Sequence, residues 1–171
     1  PLDGTKEFVK KTGQFTVNIA FIENGEATLG VVLAPASDLE FFAIRDKGAF
    51  KRIRQTDPVR IKVSKADKNK LRIVASRDHA GPKIVTLLEK LPTAELVSMG
   101  SSLKFCLIAE GQADLYPRFI PTMEWDTGAA QCILEEAGGS VCTLDGYRLE
   151  YAKKELRNRS IIGAGDPTID W

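Results

Sequence analysis

The segment FTVNIAFIENGEATLGVVLA, residues 15–34, decides the fold of the front of this chain. Residues 15–22 are rich in β-branched and aromatic side chains, which favours a strand. The Asn24-Gly25 pair is the strongest short-range signal for a tight hairpin turn, and residues 28–34 supply the returning strand. The pattern therefore predicts an antiparallel hairpin, which is extended by further strands at residues 41–44, 48–50 and 59–63.

Behind residue 66 the pattern alternates between strands and helices. Apolar residues recur at helical spacing in residues 82–91, and Pro92 follows the last of them. An N-terminal part of antiparallel strands, followed by alternating strands and helices, indicates an α/β fold of layered helices and sheets. We divide the chain into residues 1–66 and 67–171, tightly packed because no linker sequence separates them. The other predicted elements are strands at residues 71–76, 95–98, 113–116 (ended by Pro117), 140–144 and 160–163, and helices at residues 103–110 and 127–137.

The composition excludes several classes of function. Lys and Arg total 24 and Asp and Glu total 23, so no global charge attracts nucleic acid or a membrane surface. No apolar run reaches the roughly 20 residues of a membrane-spanning helix. Cys106, Cys132 and Cys142 form no C-x-x-C pair and predict buried free thiols and a cytoplasmic location. A membrane-associated form is compatible with the same pattern, and the oligomeric state is left open.

Asp3-Gly4-Thr5 places a carboxylate directly before two residues whose backbone N–H groups can bind an anion. Glycine lets the backbone approach a ligand closely, and free N–H groups at the start of a helix favour phosphate. Asp-Gly is also an ordinary turn sequence. These three residues alone therefore leave both interpretations open.

Asp126 stands at the start of the predicted helix at residues 127–137. An aspartate there can act as an N-cap, worth about 1 kcal/mol, and can still offer an oxygen to a metal ion. A magnesium-dependent phosphatase needs carboxylates from distant segments, because Mg²⁺ prefers oxygen ligands and paired ions clamp the phosphate and activate water. Asp3 and Asp126 are too few for such a site, so we expect further ligands in a segment preceding residue 1. Trp125 is expected to pack in the core beside the metal site.

Two motifs point to a family. PLDGTKEF (residues 1–8) and WDTGAA (residues 125–130), with EAGG (residues 136–139) behind, resemble the two signatures of the inositol monophosphatase superfamily. The stretches that resemble its 3′(2′),5′-bisphosphate nucleotidase branch are KEF (residues 6–8), GSSLKF (residues 100–105) and YPRF (residues 116–119).

The resemblance implies an α/β fold of the layered α-β-α-β-α sandwich type seen in inositol monophosphatases and sugar phosphatases. It implies removal of the 3′- or 2′-phosphate of adenosine 3′,5′-bisphosphate, a by-product of sulfate assimilation, with two or three Mg²⁺ ions and inhibition by lithium. The phosphate would be attacked directly by a metal-activated water, with inversion and no covalent intermediate. Because the family signature begins with an aspartate before the proline, the chain resembles the C-terminal two-thirds of a member. We therefore expect no activity from residues 1–171 alone.

The same resemblance implies roles for the residues of both signatures. The Leu2 carbonyl would bind one metal ion, and the Asp3 and Asp126 carboxylates would bind a second. The N–H groups of Gly4 and Thr5 would hold the phosphate that is cleaved, and the Thr5 hydroxyl would orient the attacking water.

Five further residues are candidates for binding the rest of the substrate. An arginine can bind phosphate through two N–H groups or stack on a base. For Lys104 and Arg118 the alternative is a solvated surface cation, and for Ser101 and Ser102 it is a helix cap. For His79, which is the only histidine, the alternative is an exposed loop side chain.

Two other functions stay open at this point. An inositol or sugar phosphatase of the same superfamily would share the metal signatures, and preference for adenosine 3′,5′-bisphosphate over inositol monophosphate separates it from a nucleotidase. A non-catalytic phosphonucleotide-binding fragment would account for a chain with few carboxylate ligands, and intact acidic ligands upstream would argue against it.

Overall fold

Two β-sheets with a helical layer between them form the architecture of this protein. The structure is a computed structural model that describes residues 2–75 and 81–168. Helices α3 (Leu103–Ala109) and α4 (Glu124–Glu136) contact each other; α4 contacts the first sheet, and α3 contacts the second. Helix α2 (Pro82–Lys90) covers the other face of the second sheet. This arrangement confirms the layered α/β fold class.

The first sheet has six strands and is antiparallel throughout, in the order β1-β2-β3-β4-β5-β6. The predicted hairpin is present, and Asn24 and Gly25 form its two-residue turn with φ values of 51° and 81°. Two positive φ values are those of a type I′ turn, whose twist matches that of the strands. The strands are β1 (Leu2–Asp3), β2 (Thr16–Glu23), β3 (Glu26–Ala34), β4 (Leu39–Ile44), β5 (Gly48–Ile53) and β6 (Val59–Ile61), and a 3-10 helix (Pro35–Ser37) follows β3.

Small residues on the inner face of the first sheet let α4 approach it closely. A Cβ on Gly30 would lie 2.9 Å from the carbonyl carbon of Ala129. A Cβ on Gly128 would lie 3.3 Å from the Cβ of Ala20. The start of α4 is thereby held directly over the sheet.

The second sheet is mixed, with the order β11-β13-β9-β7-β8. Strands β7 and β8 are parallel, and α2, whose helix the sequence predicted, forms the crossover between them. Ile73 of β7 packs with Leu87 of α2, whereas the next residue, Val74, belongs to the core that contains α3 and α4. The strands are β7 (Arg72–Ala75), β8 (Glu95–Ser98), β9 (Leu115–Arg118), β11 (Ser140–Thr143) and β13 (Ile161–Ala164), while β10 (Thr122–Met123) pairs separately with β12 (Arg157–Asn158).

Pro117 lies inside β9, so the predicted end of this strand at Tyr116 was wrong. It stands opposite Ile162 of β13. On the other side of β9, Leu115 is the one position paired with β7 among the described residues. Pro117 lies beyond that pairing, so its missing N–H group removes no hydrogen bond to β7.

Helix α4 begins one turn earlier than predicted. It starts at Glu124 with Met123 as the N-cap, so the N-cap interpretation of Asp126 was wrong. The Asp126 carboxylate instead reaches back and accepts a hydrogen bond from the Met123 N–H at 2.8 Å. Trp125 was expected in the core but is 46% exposed, because the earlier start places it on the outer side of the first turn.

The predicted boundary between residues 66 and 67 falls between β6 and β7, and therefore between the two sheets. One apolar cluster nevertheless contains residues from both regions, such as Phe41 of β4 and Ile133 of α4. The division into two regions stays a prediction.

The cysteines follow the prediction in part. Cys106 and Cys132 are buried free thiols, whereas Cys142 is free but half-buried, because β11 lies at the edge of its sheet. Within the part of the chain that the structure describes, no helix combines the length and the apolar composition that a bilayer crossing requires.

Candidate active site

One cavity of about 270 Å³ lies where segments that are distant in the sequence meet. They are the junction of β1 with helix α1 (Thr5–Val9), the start of α3 with the turn before it, the end of β9, and β10 with the first turn of α4. Leu2 is not part of the lining, and His79 lies outside the described residues. The predicted site residues that line the cavity are Asp3, Gly4, Thr5, Ser101, Ser102, Lys104, Arg118 and Asp126.

Gly4 forms the bend between β1 and α1. Its φ of 89° lies in the left-handed region that favours glycine. A Cβ here would lie 3.2 Å from the Cβ of Ser101 and 3.3 Å from the Cα of Phe15. Strand pairing of Asp3 with Thr16 holds the backbone on one side of the bend, and the predicted helical turn begins on the other.

Ser102 joins the two carboxylate segments. Its Oγ lies 3.0 Å from Asp3 Oδ2 and 3.0 Å from the carbonyl oxygen of Asp126, and it accepts a hydrogen bond from Asn18 Nδ2 at 2.8 Å. Ser102 is the N-cap of α3, yet its side chain makes no capping hydrogen bond. The helix-cap interpretation of this side chain was therefore wrong, because its hydroxyl is engaged by other groups.

Ser101 is buried, and its hydroxyl has no hydrogen-bond partner among the described residues. Its φ of 46° is uncommon for a residue other than glycine. A buried polar group without a partner costs about 1–3 kcal/mol, and this one lines the cavity. A ligand oxygen in the cavity would satisfy it.

Asp3 and Asp126 influence each other electrostatically. Burial raises the pKa of Asp126 above its ordinary value; the hydrogen bond from the Met123 N–H opposes this shift, and the charge of Asp3 adds to it. Each carboxylate accepts a hydrogen bond at Oδ2, and among the described residues Oδ1 is left for a ligand. Two like charges in a half-buried cavity are stabilised by a cation, so the pair fits a hard divalent metal ion.

The pair does not amount to a complete metal site. Across residues 2–75 and 81–168, no three His, Cys, Asp or Glu side chains cluster in a way that could hold an ion. This agrees with the expectation that Asp3 and Asp126 are too few by themselves. Mg²⁺ fills the rest of its octahedral shell with water and other oxygen ligands.

Besides the exposed Lys6, two cationic side chains that are at least partly buried line the same cavity. Lys104 is only 7% exposed, so the surface-cation interpretation was wrong for it, and its Nζ lies 5.4 Å from the centre of the Tyr116 ring. Burial lowers the pKa of Lys104 to about 8, although the charge of Asp3 opposes this shift. Arg118 is partly buried, and its Nε has no hydrogen-bond partner among the described residues. An anionic ligand would stabilise both charges.

The first turn of α4 is anchored by polar contacts to residues outside the cavity lining. Asn158 is buried, and its Nδ2 donates to Thr127 Oγ1 at 3.0 Å. Glu124, the first residue of the helix, forms an ion pair with Lys153 at 2.5 Å. These contacts hold the turn that carries Asp126.

Sequence reasoning missed several residues of this site, and Asn18 is the clearest case. Asn18 lies on the inner face of β2 together with Thr16 and Ala20. A lone amide at a core position of an apolar strand was the available signal, because a buried polar group needs a partner. The cavity-lining residues that were not predicted as site residues are Lys6, Glu7, Phe105, Tyr116, Thr122 and Thr127.

A layered α/β protein whose cavity is lined by three carboxylates and three cationic side chains is typical of metal-assisted hydrolases of phosphate esters. Residues 1–169 match the sequence profile of the Inositol monophosphatase family. The chain belongs to this family.

Relatives with a more specific name are also similar to this chain. It is 46% identical to the 3′(2′),5′-bisphosphate nucleotidase CysQ of Salmonella typhimurium over 155 residues, which cover 91% of this chain and 61% of the relative. It is 45% identical to the protein of the same name from Escherichia coli strain K12, with the same coverage. The crystal structure of CysQ from Bacteroides thetaiotaomicron has a TM-score of 0.88 and 40% identity, and the match covers 96% of this chain and 68% of that one. The chain thus spans about 61% of the length of these curated relatives.

Proposed function

We propose that this protein acts as a 3′(2′),5′-bisphosphate nucleotidase, a phosphomonoesterase that removes the 3′- or 2′-phosphate of adenosine 3′,5′-bisphosphate. The observation that carries the proposal is the convergence of Asp3 and Asp126 with Lys104 and Arg118 on one cavity. The names of the relatives support the choice of substrate. A cytoplasmic location belongs to the same proposal, supported by the absence of disulfides among the three cysteines.

We assign the metal ligands to Asp3, Asp126 and the carbonyl of Leu2. The first two are supported by hydrogen bonds that engage Oδ2 and not Oδ1 among the described residues, and by the charge of Asp3 acting on Asp126, while Leu2 rests on the family resemblance. The family is metal-dependent, and we propose Mg²⁺, in two or three copies, as its ion here. Bound metal would neutralise charge on the phosphate oxygens and lower the pKa of the attacking water.

The phosphate that is cleaved would lie at the start of α1. The first hydrogen bond of this helix runs from the Phe8 N–H to the Gly4 carbonyl at 2.9 Å. The N–H groups of Gly4 and Thr5 precede that bond, and we expect them to donate to the phosphate oxygens. Thr5 is exposed at the cavity, where its hydroxyl would orient the attacking water.

The rest of the substrate would lie toward α3 and β9. Lys104 and Arg118 would bind the phosphate that is retained, because both are partly or wholly removed from water and stabilised by an anion. The Ser101 hydroxyl, which has no partner among the described residues, would form a hydrogen bond with the substrate. Ser102 would contribute by holding the Asp3 carboxylate. His79 beside the adenine rests on the family resemblance alone.

Phosphate release from adenosine 3′,5′-bisphosphate with Mg²⁺ tests this function. It is measured on the protein at its natural length and on residues 1–171 alone. We expect Asp3→Asn and Asp126→Asn to lower kcat/KM by at least about 100-fold. The matched control is Asp57→Asn, which changes an exposed carboxylate outside the cavity and should leave kcat/KM unchanged.

Each outcome separates the alternatives. Turnover of the adenosine substrate that both site variants abolish supports the nucleotidase. Turnover of inositol or sugar phosphates without turnover of the adenosine substrate keeps the metal site and replaces the substrate. Binding of adenosine 3′,5′-bisphosphate without turnover of any phosphate ester by the natural-length protein would favour the non-catalytic alternative.

A further inference from the structure

A buried polar contact joins the middle of β2 to the turn before α3. Asn18 is 3% exposed and Ser102 is 2% exposed, and Asn18 Nδ2 lies 2.8 Å from Ser102 Oγ. Asn18 does not line the cavity of the candidate active site, whereas Ser102 does. The hydrogen bond to Ser102 therefore links the buried Asn18 side chain to the cavity.

The hydrogen-bonding capacity of Ser102 decides the direction of this contact. A serine hydroxyl carries one hydrogen and two lone pairs. Two of its neighbours, Asp3 Oδ2 and the carbonyl oxygen of Asp126, are acceptors at 3.0 Å. Asn18 must present its NH₂ group to Ser102, because an amide oxygen there would leave one hydrogen facing three acceptors.

We propose that Asn18 and Ser102 are positioning residues for the Asp3 carboxylate, an inference that rests on the proposed role of Asp3 as a metal ligand. Asn18 occupies a lone pair of Ser102 Oγ and so turns the hydroxyl hydrogen toward Asp3 and Asp126. The hydroxyl holds Asp3 Oδ2 and leaves Oδ1 for the cavity. Because the same hydroxyl also contacts the carbonyl of Asp126, it sets the separation of the two carboxylate segments.

Stability alone does not account for an asparagine at position 18. Its Oδ1 is buried without a hydrogen-bond partner among the described residues. An apolar side chain of similar shape would avoid the cost of removing that oxygen from water. A residue that is unfavourable for local stability is typical of a position that serves function.

We call the path from Asn18 through Ser102 to Asp3 the relay. Two single variants of the natural-length protein test it. Asn18→Leu removes the amide at similar volume, and Ser102→Ala removes the hydroxyl. Ser160→Ala is the matched control, because its Oγ also donates to a backbone carbonyl, that of Phe119 at 3.0 Å, but lies outside the cavity. The probe is Mn²⁺ alone, with its Kd measured by electron paramagnetic resonance and the metal-free Tm measured beside it.

We expect both site variants to raise the Kd for Mn²⁺ by about 10- to 100-fold, while the control leaves it unchanged. The metal-free Tm of Asn18→Leu should be unchanged or higher, which a merely structural role would not produce. Because Asn18 acts only through Ser102, the double variant should bind Mn²⁺ as weakly as Ser102→Ala alone. Metal-free crystal structures of the variants should show the Asp3 carboxylate rotated from its position against residue 102.

Mn²⁺ affinities within about twofold of the wild type, together with an unmoved Asp3 carboxylate, would overturn the relay. Losses of affinity that add in the double variant and follow the Tm would overturn it as well, because they indicate general destabilisation. A wild-type protein that binds no Mn²⁺ contradicts the proposed function instead. In that case the orientation of Asp3 in the metal-free crystals decides the relay by itself.

Discussion

Gly30 of β3 lies directly beneath Ala129 of α4, so that a Cβ on residue 30 would overlap the carbonyl oxygen of Ala129 and lie 2.9 Å from its carbonyl carbon. Only glycine permits two backbones to approach this closely. The contact holds the helix that carries Asp126 against the sheet that carries Asp3. The geometry of the candidate site thus depends on a residue outside its cavity.

Gly30→Ala should lower the free energy of unfolding by about 1–3 kcal/mol, because α4 must move away from the sheet to admit the methyl group. Urea unfolding measures the loss. Gly81→Ala is the matched control, since no atom of the described residues other than its chain neighbours lies within 4 Å of its Cβ position and its φ of −63° suits alanine. It should stay within about 0.5 kcal/mol of the wild type. Equal stabilities of the two variants would show that α4 is not held at this point.

Asp114 is the acceptor at the centre of a buried polar network that joins the start of β7 to the residue before β9. It is 2% exposed, and Arg72 donates to it from the backbone N–H, from Nε at 3.0 Å and from Nη2 at 2.7 Å. Asp114→Asn should cost about 2–4 kcal/mol of unfolding free energy, because Arg72 loses its charge partner in a half-buried place. The exposed ion pair of Glu95 with Lys70, 3.0 Å apart, provides the control. Glu95→Gln should cost less than about 0.5 kcal/mol, and a loss as large as that of Asp114→Asn would contradict the assignment.

Lys104 should give the unliganded protein an unusual dependence on alkaline pH. Burial lowers its pKa from 10.5 to about 8 in the folded protein. The unfolded chain therefore binds this proton more tightly, and the free energy of unfolding should rise as the pH increases from about 8 to 10.5. Lys104→Met should remove the rise and make the protein more stable at pH 7, by up to about 3 kcal/mol. Urea unfolding over this pH range measures both effects.

The same substitution should weaken anion binding. Inorganic phosphate should bind Lys104→Met about 10-fold less tightly than the wild type, and the wild-type affinity should itself decline above about pH 8 as the ammonium group loses its proton. The exposed Lys154 supplies the control variant Lys154→Met, which should change neither quantity. A gain in stability without a loss of phosphate affinity would mean that the lysine does not face the ligand.

Secondary-structure elements that depend on a short stretch of sequence were predictable. Asn24-Gly25 defined the hairpin because only a few residues accept two positive φ values. Helical spacing and Pro92 defined α2 to within a residue. The end of β9 and the start of α4 were not predictable, because the pairing next to Pro117 and the reach of Asp126 back to Met123 depend on the assembled structure.

The residues of the candidate site likewise include some that the sequence could predict and some that it could not. Asp3 and Asp126 could be named from the sequence because each stands in a compact motif with a recognisable chemistry. The contact between Asn18 and Ser102 could not, since the two residues are 84 positions apart and meet only when β2 and α3 pack together. The burial of Lys104 was equally hidden, because no local pattern distinguishes a lysine covered by neighbouring segments from one in water.

Asp126 shows that the proposed metal site opposes stability. Burial raises the pKa of Asp126 above its ordinary value of 3.8, and the charge of Asp3 adds to the shift. A carboxyl group whose pKa is raised by folding stabilises the fold while it is protonated, and this contribution is lost as the pH rises through the folded pKa. At pH 7 the ionised side chain therefore destabilises the metal-free protein.

Asp126→Asn should accordingly raise the metal-free Tm at pH 7, since an amide oxygen can still accept the hydrogen bond from the Met123 N–H. The gain should vanish near about pH 3, where the wild-type group is also neutral. The variant should also lose the increase in Tm that Mg²⁺ gives the natural-length wild type, because weaker binding stabilises the folded state less. Asp57→Asn, at an exposed position, should change neither measurement. A lower metal-free Tm at pH 7 combined with a full Mg²⁺ shift would show that residue 126 serves the start of α4 and not a cation.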